Sequence, residues 1–412
     1  MKTVKKPSSL FRSRKGQTLV LLAITMAGLL GVAALAVDVG YLYVTRNELQ
    51  NVSDGAALAG TRALGAIYQN IPKEQQGNFV CGTTCTDSIQ NTAEAVANNN
   101  RAGGIDMSVR VQDVLIGQWD GDSFTETDTV PDAVQVVSRR DEVYNGPVTN
   151  FFGRVLGFDF SSINALATAA LTGQGSTAEG EVELPIGISR WFFDQNPDGG
   201  FCNEDIQFYP TNDPASCAGW TSWEYGSNDA TLRKILQEKP NYESPGTIAG
   251  ETIFNFTGGT LSNPTFADLL SLFQIKGYDV DENWEYLTDP NTGLPYHQAP
   301  EGVGVPLYER DDDGNVVLGK DGQPIRLEYP DGTLRNMHKW ETTVPVYDRG
   351  DCSNPNQSIL IVGFAEIELR DVLNAPDKLV KGTVMCNLVD EFASRGGGGE
   401  YGIKGSVPGL VK

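Results

Sequence analysis

The sequence predicts an α+β protein carried on a single amino-terminal transmembrane helix. That helix continues into a longer one, and an α+β domain and a β-rich, disulfide-containing region follow. Three observations predict this. An uncharged run of 20 residues, Thr18–Val37, stands directly behind a basic cluster. An apolar stripe of helical period follows it. Turn-rich, β-prone segments and all six cysteines lie farther along the chain.

The uncharged run, TLVLLAITMAGLLGVAALAV, is long enough at about 1.5 Å per residue to cross a hydrocarbon core of ~30 Å. Lys2, Lys5, Lys6, Arg12, Arg14 and Lys15 precede it, and the first acidic residue is Asp38. The positive-inside bias makes residues 1–15 a basic cytoplasmic tail and 18–37 the span in contact with lipid. Everything after Asp38 is then expected outside the cytoplasmic (inner) membrane, in the periplasm or beyond. A cleaved signal peptide is the competing reading, because Ala34-Leu35-Ala36 supplies an A-x-A site. Against it, the apolar run exceeds the ~7–15 residues of a signal h-region. Ala23, Ala27 and Gly31 recur every four residues, a spacing that lets two helices approach closely in a homo- or hetero-oligomer.

Charge narrows the partners. Six of the 31 basic residues belong to the tail, so the rest of the chain carries 25 basic against 53 acidic residues. Such a body repels a phosphate backbone, and nucleic acid is not expected to bind it.

After the span, Leu42, Leu49, Val52, Ala56, Ala59 and Ala63 form the stripe, with Arg46, Asn47, Gln50 and Asn51 on the other side. One long helix is therefore expected to leave the membrane and dock on an outer domain, with Tyr41 and Tyr43 in the interfacial aromatic belt.

These residues carry a resemblance. Arg14, Gly16, the apolar run, Asp38, Gly40, Leu42-Tyr43, Arg46, Leu49-Gln50-Asn51, Asp54 and Ala56-Ala57-Leu58-Ala59-Gly60 resemble the amino-terminal signature of TadG-like Flp pilus-assembly proteins. Gly117-Gln118-Trp119-Asp120, Ala133-Val134-Gln135-Val136, Phe151-Phe152 and Ala165-Leu166-Ala167-Thr168-Ala169 are similar to the family as well. The resemblance implies a membrane-anchored component of tight-adherence (Tad/Flp) pilus or secretion machinery, whose partners are other pilus-assembly and secretion proteins. Two departures stand out. Gly16 is followed by Gln17-Thr18-Leu19-Val20-Leu21, without the Glu that prepilin processing uses, and no DxSxS metal motif of an adhesive module is present.

Residues 38–175 read as the TadG-like α+β domain. A helix capped by Thr86 or Asp87 carries Ile89, Ala93, Val96 and Ala97 on one face. Strands are expected near Val109 and Val111 and at Val134 and Val136. Pro147 is expected to open a short helix through Phe151, Phe152, Val155 and Leu156, and 161–171 to be extended or helical. Thr172 to Glu181, small and Gly/Ser/Thr-rich, is the expected linker to a β-rich extracytoplasmic region at 182–412. There PTFADLLSLF suggests a helix, SILIVGFAEIEL, KLVKGTVMCNLV and TTVPVY suggest strands, and three D-G pairs between 309 and 335 suggest successive hairpins.

Near-neighbour pairing of the cysteines favours Cys81–Cys85, Cys202–Cys217 and Cys352–Cys386, one of 15 connectivities six cysteines allow. Oxidised pairs suit an exported domain.

The sharpest ligand-like motif is DQNPDGGFCNED. Asp194, Asn196, Asp198 and Asp205 stand where a calcium loop places oxygen ligands, and Gly199 stands at its turn. Pro197 and the short reach of Asp205 depart from that pattern. Calorimetry with no heat on adding millimolar calcium would remove this expectation. The run Asp311-Asp312-Asp313-Gly314-Asn315 reads as a solvated hairpin tip instead. Trp191, Trp220, Trp223, Trp284 and Tyr225 are expected in the core rather than along a ligand groove.

Catalytic templates are missing: there is no GxSxG elbow, no P-loop and no GxGxxG behind a convincing strand. With two histidines, His297 and His338, the expectation is no enzyme and no cofactor beyond the calcium considered. The function expected is assembly by protein–protein contact; the alternative is a secreted or surface adhesin-like protein with a cleaved signal.

Overall fold

The computed structural model describes residues 15–196, 200–208, 217–259, 261–311, 313–353, 355–373 and 378–412. Helix α1 runs unbroken from Lys15 to Tyr68. Its 54 residues extend about 80 Å. Ala and Leu dominate the segment, no proline interrupts it, and Pro72 follows its end. The two halves differ in what surrounds them. Leu19, Leu21, Ile24, Leu29, Leu30, Val32 and Leu35 are exposed. From Thr45 onward Leu49, Val52, Ser53, Ala56, Ala57, Thr61, Leu64 and Tyr68 are buried, at intervals of three and four as a helix packed along one face requires.

The covering partners are α2 (Thr83–Ala97) and a five-stranded antiparallel sheet. That sheet contains β1 (Val114–Trp119), β2 (Phe124–Glu126), β3 (Ala133–Arg140) and β4 (Ile163–Ala170). Small residues set the approach: a Cβ on Gly60 would press on Val134 and Ile89. Hydroxyls on α1 also bond to the sheet. Ser53 donates to the Ala165 carbonyl and accepts the Ser138 amide, and Thr61 donates to Ala169.

Local expectations in this domain need four corrections. Helix α2 starts at Thr83, ahead of Thr86 and Asp87, because Gly82 is extended and Cys81–Cys85 closes the first turn. The strand expected near Val109 and Val111 begins at Val114, after a 3-10 turn at Val111–Asp113. The helix expected from Pro147 is instead a short strand, Val148–Thr149, followed by a 3-10 turn, Gly153–Leu156. Residues 172–181 are no free linker. The amides of Gln174 and Gly175 donate to Ile403 and Arg395, and Gly398 donates to Gly173. A Cβ on Gly173 or Gly175 would strike the carbonyls of Gly399 and Gly396, so glycine on both segments permits this contact.

The second unit is an eight-stranded sheet. Its strands are β5 (Ile186–Ser189), β6 (Asp205–Phe208), β7 (Ala218–Thr221), β8 (Ile253–Thr257), β9 (Tyr278–Asp279), β10 (His338–Tyr347), β11 (Ser358–Leu373) and β12 (Leu379–Met385). Their order is β6-β12-β11-β8-β7-β5-β10-β9, and β11 also pairs with β10. The sheet therefore closes through β11, β8, β7, β5 and β10, leaving few free edges. Helices α3 (Asp229–Leu236) and α4 (Asn263–Lys276) pack on it, and Phe266, Leu269, Leu270 and Phe273 of α4 enter the main core. Ser262 caps α4 by accepting the Thr265 amide.

The three D-G pairs form the hairpins the sequence suggests. Gly314, Gly322 and Gly332 have φ of +83°, +80° and +85°, the left-handed conformation such turns need. Their flanks pair as Arg310 with Val316, Leu318 with Pro324, and Glu328 with Leu334.

Two of the three disulfides differ from near-neighbour pairing. Cys81–Cys85 forms, but Cys202 joins Cys386 and Cys217 joins Cys352. Strand register explains this. Asp205 faces Thr383 across antiparallel β6 and β12, and the same register three residues on sets Cys202 against Cys386. Ala218 faces Ile188 of β5, which lies parallel to the end of β10, so Cys217 meets the loop after β10 that carries Cys352.

The region expected at 182–412 also returns to the first domain. Gly409 and Leu410 pair with Ala170 and Ala169 of β4, making the carboxyl end a strand of the first sheet.

Candidate functional site

Among the described residues one helix, α1, is long and apolar enough to cross a membrane. Where its apolar half ends, several contacts converge. Asp38 is the first charge after the run, and it is buried. Its carboxylate accepts the amides of Phe151 at 2.8 Å, Phe152 at 3.0 Å and Gly153 at 2.6 Å. Those amides open the 3-10 turn at Gly153–Leu156, so Asp38 caps a turn from a distant part of the chain. One turn on, Tyr41 donates its hydroxyl to the Gly103 carbonyl at 3.0 Å and packs edge-on against Phe151. Glu48 then accepts the Gly103 amide at 2.6 Å. Three side chains within about three turns of α1 thereby bind it to the outer domain just beyond the apolar run.

The opposite side of the same stretch is open. Arg46, Asn47 and Asn51 are exposed, and Tyr43 is exposed as well.

A second set of contacts joins the two sheets. Lys73 meets the wholly buried Glu366 at 2.7 Å, and Thr343 donates to the other carboxylate oxygen. Burial opposes the Lys73 charge, but the adjacent Glu366 carboxylate outweighs it and raises the ammonium above its ordinary value. Gln76 accepts the Val389 amide, Lys404 pairs with Asp132, and Arg62 donates to the Ser406 carbonyl. The junction also holds two acids displaced by burial: Glu181 is pushed up to about 7 and Asp390 to about 6.

The calcium-like residues fall as follows. Asp194 ends a short helix and pairs with Arg190 at 3.1 Å. Asn196 donates to the Phe192 carbonyl. Asp198 lies outside the described residues, and Asp205 opens β6. No group of three or more acidic, histidine or cysteine residues suited to a metal occurs among the described residues. The run from Asp311 forms a hairpin tip, in which Asp311 accepts the Asn315 amide.

Both histidines are engaged. His338 is buried, with Nδ1 at 2.8 Å from Asp279 and Nε2 at 3.1 Å from the Phe273 carbonyl, so neither nitrogen is left for a base. His297 stacks on Tyr278 and meets the Gly277 carbonyl. Trp220 and Trp223 are buried core residues, while Trp284 lies under the Arg370 guanidinium.

Sequence reasoning singled out Asp38 and Phe151-Phe152 separately and did not join them. The signal available was the density of large apolar residues between Phe151 and Phe160, six in ten, in a segment the fold leaves outside. Lys73 and Glu366 carry no signal, being ordinary charges 293 residues apart.

Residues 16–63 match a family model described as Flp pilus-assembly TadE/G-like, and residues 76–169 match one described as Tad-like Flp pilus-assembly. No curated protein and no solved structure matches the chain. The first match covers the apolar run with its docked continuation, and the second covers α2 with most of the first sheet. Residues 16–63 and 76–169 thus resemble the two parts of Tad-like Flp pilus-assembly proteins.

Proposed function

We propose that the protein is a non-catalytic, single-pass component of Tad/Flp pilus assembly or its secretion machinery, acting by protein–protein contacts outside the cytoplasmic membrane. The observation that carries this reading is the continuity of α1. One helix serves as the apolar, uncovered segment and as the core of the outer domain, and Asp38, Tyr41 and Glu48 stiffen the passage.

The non-catalytic reading rests on the two family matches, on the missing catalytic motifs and on the engagement of both ring nitrogens of His338. Contact with other pilus components is assigned to the uncovered strip of α1 at Arg46, Asn47 and Asn51. Its polar chemistry suits a hydrated interface.

The test is the intact mass and amino-terminal sequence of the protein from fractionated cells. Retention of residues 2–15 in the alkali-resistant membrane fraction supports the anchored component. A soluble chain starting at Val37 shifts the assignment to the secreted adhesin-like alternative. A start at Gln17 means prepilin-like processing. Arg46→Glu with Asn51→Lys should then reduce pilus number while leaving the protein folded and in the membrane.

A further inference from the structure

The loop that Asp38 holds has a surface the fold leaves uncovered. Phe151, Phe152, Val155, Leu156, Phe158 and Phe160 are all exposed, Val155 at 85% and Leu156 at 75%. Isolated exposed apolar residues are ordinary, but six large ones within ten residues form a patch that requires an explanation. Gly157, at φ +87°, turns the chain so that apolar residues lie on either side of one tip.

The position of the patch indicates what covers it. Leu30, Gly31 and Ala34 of α1 share one cleft with Phe152, Val155 and Leu156. Leu30 precedes Asp38 by eight residues, about 12 Å along the helix axis. The loop therefore reaches back past the first charge, alongside the last two turns of the apolar run. Whatever solvent surrounds those turns also surrounds Val155 and Leu156.

The backbone suits that placement. Amides of Phe151, Phe152 and Gly153 bond to Asp38, and those of Val155, Gly157 and Phe158 donate to carbonyls within the loop. The Asn150 side chain donates to the Phe158 carbonyl. Satisfied amides are the condition for entering an apolar medium. Two charges fall within 151–160, Arg154 and Asp159, both exposed. Arg154 is long enough to extend from an apolar base toward phosphate, and Asp159 stands at the foot of the loop, where its carbonyl accepts the Asn150 amide.

We propose that residues 151–160 form a second membrane contact, inserted in the outer face of the bilayer that α1 spans, with Arg154 at the lipid phosphates. This rests on reading residues 18–37 as a membrane span. The occupant of the patch is lipid rather than a partner helix, because the loop lies level with the apolar run and continues its uncovered surface. The consequence is mechanical: an anchor gripped at two points fixes the tilt and rotation of the outer domain.

The test uses the full chain reconstituted in vesicles of zwitterionic and anionic phospholipid carrying a photoactivatable diazirine in the acyl chain. Adducts are mapped by mass spectrometry after irradiation. Adducts on both 18–37 and 151–160 are expected, and Val155→Asp with Leu156→Asp should lower the loop adducts about tenfold or more while leaving those on 18–37. Adducts on 18–37 alone overturn the proposal and leave the span standing. Adducts on neither segment overturn the span with it. Cross-links from the loop to another protein chain overturn lipid as the occupant. If the double variant does not fold, wild-type mapping decides the question.

Discussion

Asp38 accepts the Gly153 amide at 2.6 Å across 115 residues of sequence. This contact converts a charge at the end of an apolar run into the anchor of a loop. The contact opposes rotation of the helix against the outer domain and departure of the loop from the helix.

Asp38→Ala should free the amides of Phe151, Phe152 and Gly153. Hydrogen exchange there is expected to accelerate about tenfold or more, while exchange in β3 and β4 is unchanged. Asp38→Asn keeps one carbonyl acceptor and should fall between. Equal protection in all three proteins would show that the loop holds itself.

Lys73→Met should cost about 3 kcal/mol, because it leaves the Glu366 carboxylate buried without its cation. Adding Glu366→Gln should restore much of the loss. Chemical unfolding of the single and double variants measures this, and equal stability of the two would refute the pairing as the cause.

Non-reducing peptide mapping should recover Cys202 with Cys386 and Cys217 with Cys352. Those bridges close long loops, of 184 and 135 residues, and by chain entropy each stabilises by ~5 kcal/mol at most. Removing one pair as Ser/Ser should lower stability by about 2–5 kcal/mol. Peptides joining Cys202 to Cys217 would contradict the register of β6 and β12.

Gly65 and Gly40 offer a contrast within one helix. A Cβ at Gly65 would collide with the Ser406 carbonyl, whereas nothing lies within 4 Å of one at Gly40. Gly65→Ala should displace the carboxyl-terminal strand and cost about 1–3 kcal/mol, more than the ~1 kcal/mol of helix propensity it gains. Gly40→Ala should be neutral or stabilising. Limited proteolysis of the carboxyl terminus and thermal unfolding report both effects.

Glu181 provides a test by pH. Burial raises it to about 7 against the Ala178 amide, with the Asp390 charge adding to the rise. The folded state therefore holds this proton more tightly than the unfolded chain. Its stabilising effect is complete near pH 4 and is lost as pH rises to about 7. Glu181→Gln, which mimics the protonated acid, should change little at pH 5 and gain stability relative to wild type at pH 8. A variant that tracks wild type at both values would show that Glu181 is ordinary.

What was legible in the sequence was local or periodic. The apolar run needed only its neighbours, and the docked stripe of α1 followed from a repeat of three and four. Even there Ala59 and Ala63, expected in the stripe, are half-buried, while Thr45, Ser53 and Thr61 are fully buried. Hydroxyl groups that bond to carbonyls enter a core without an apolar signature. A proline at the start suggests a helix from Pro147 through Leu156, yet Val148–Thr149 is a strand and only Gly153–Leu156 turns as a 3-10 helix, because the Phe151, Phe152, Val155 and Leu156 side chains stay exposed.

By itself the sequence determined the uncharged apolar run, the helix continuing from it, the hairpin turns at Gly314, Gly322 and Gly332, and the Tad-like resemblance of residues 16–63 and 76–169, since each rests on residues close in the chain. Only the tertiary structure decided the pairing of Cys202 with Cys386, the burial of Glu366 against Lys73, the return of Gly409 and Leu410 to β4, and the capture of Gly153 by Asp38. Those partners are brought together by strand register and helix docking. Such contacts depend on how whole elements pack, and the spacing of residues along the chain does not encode which distant groups will meet.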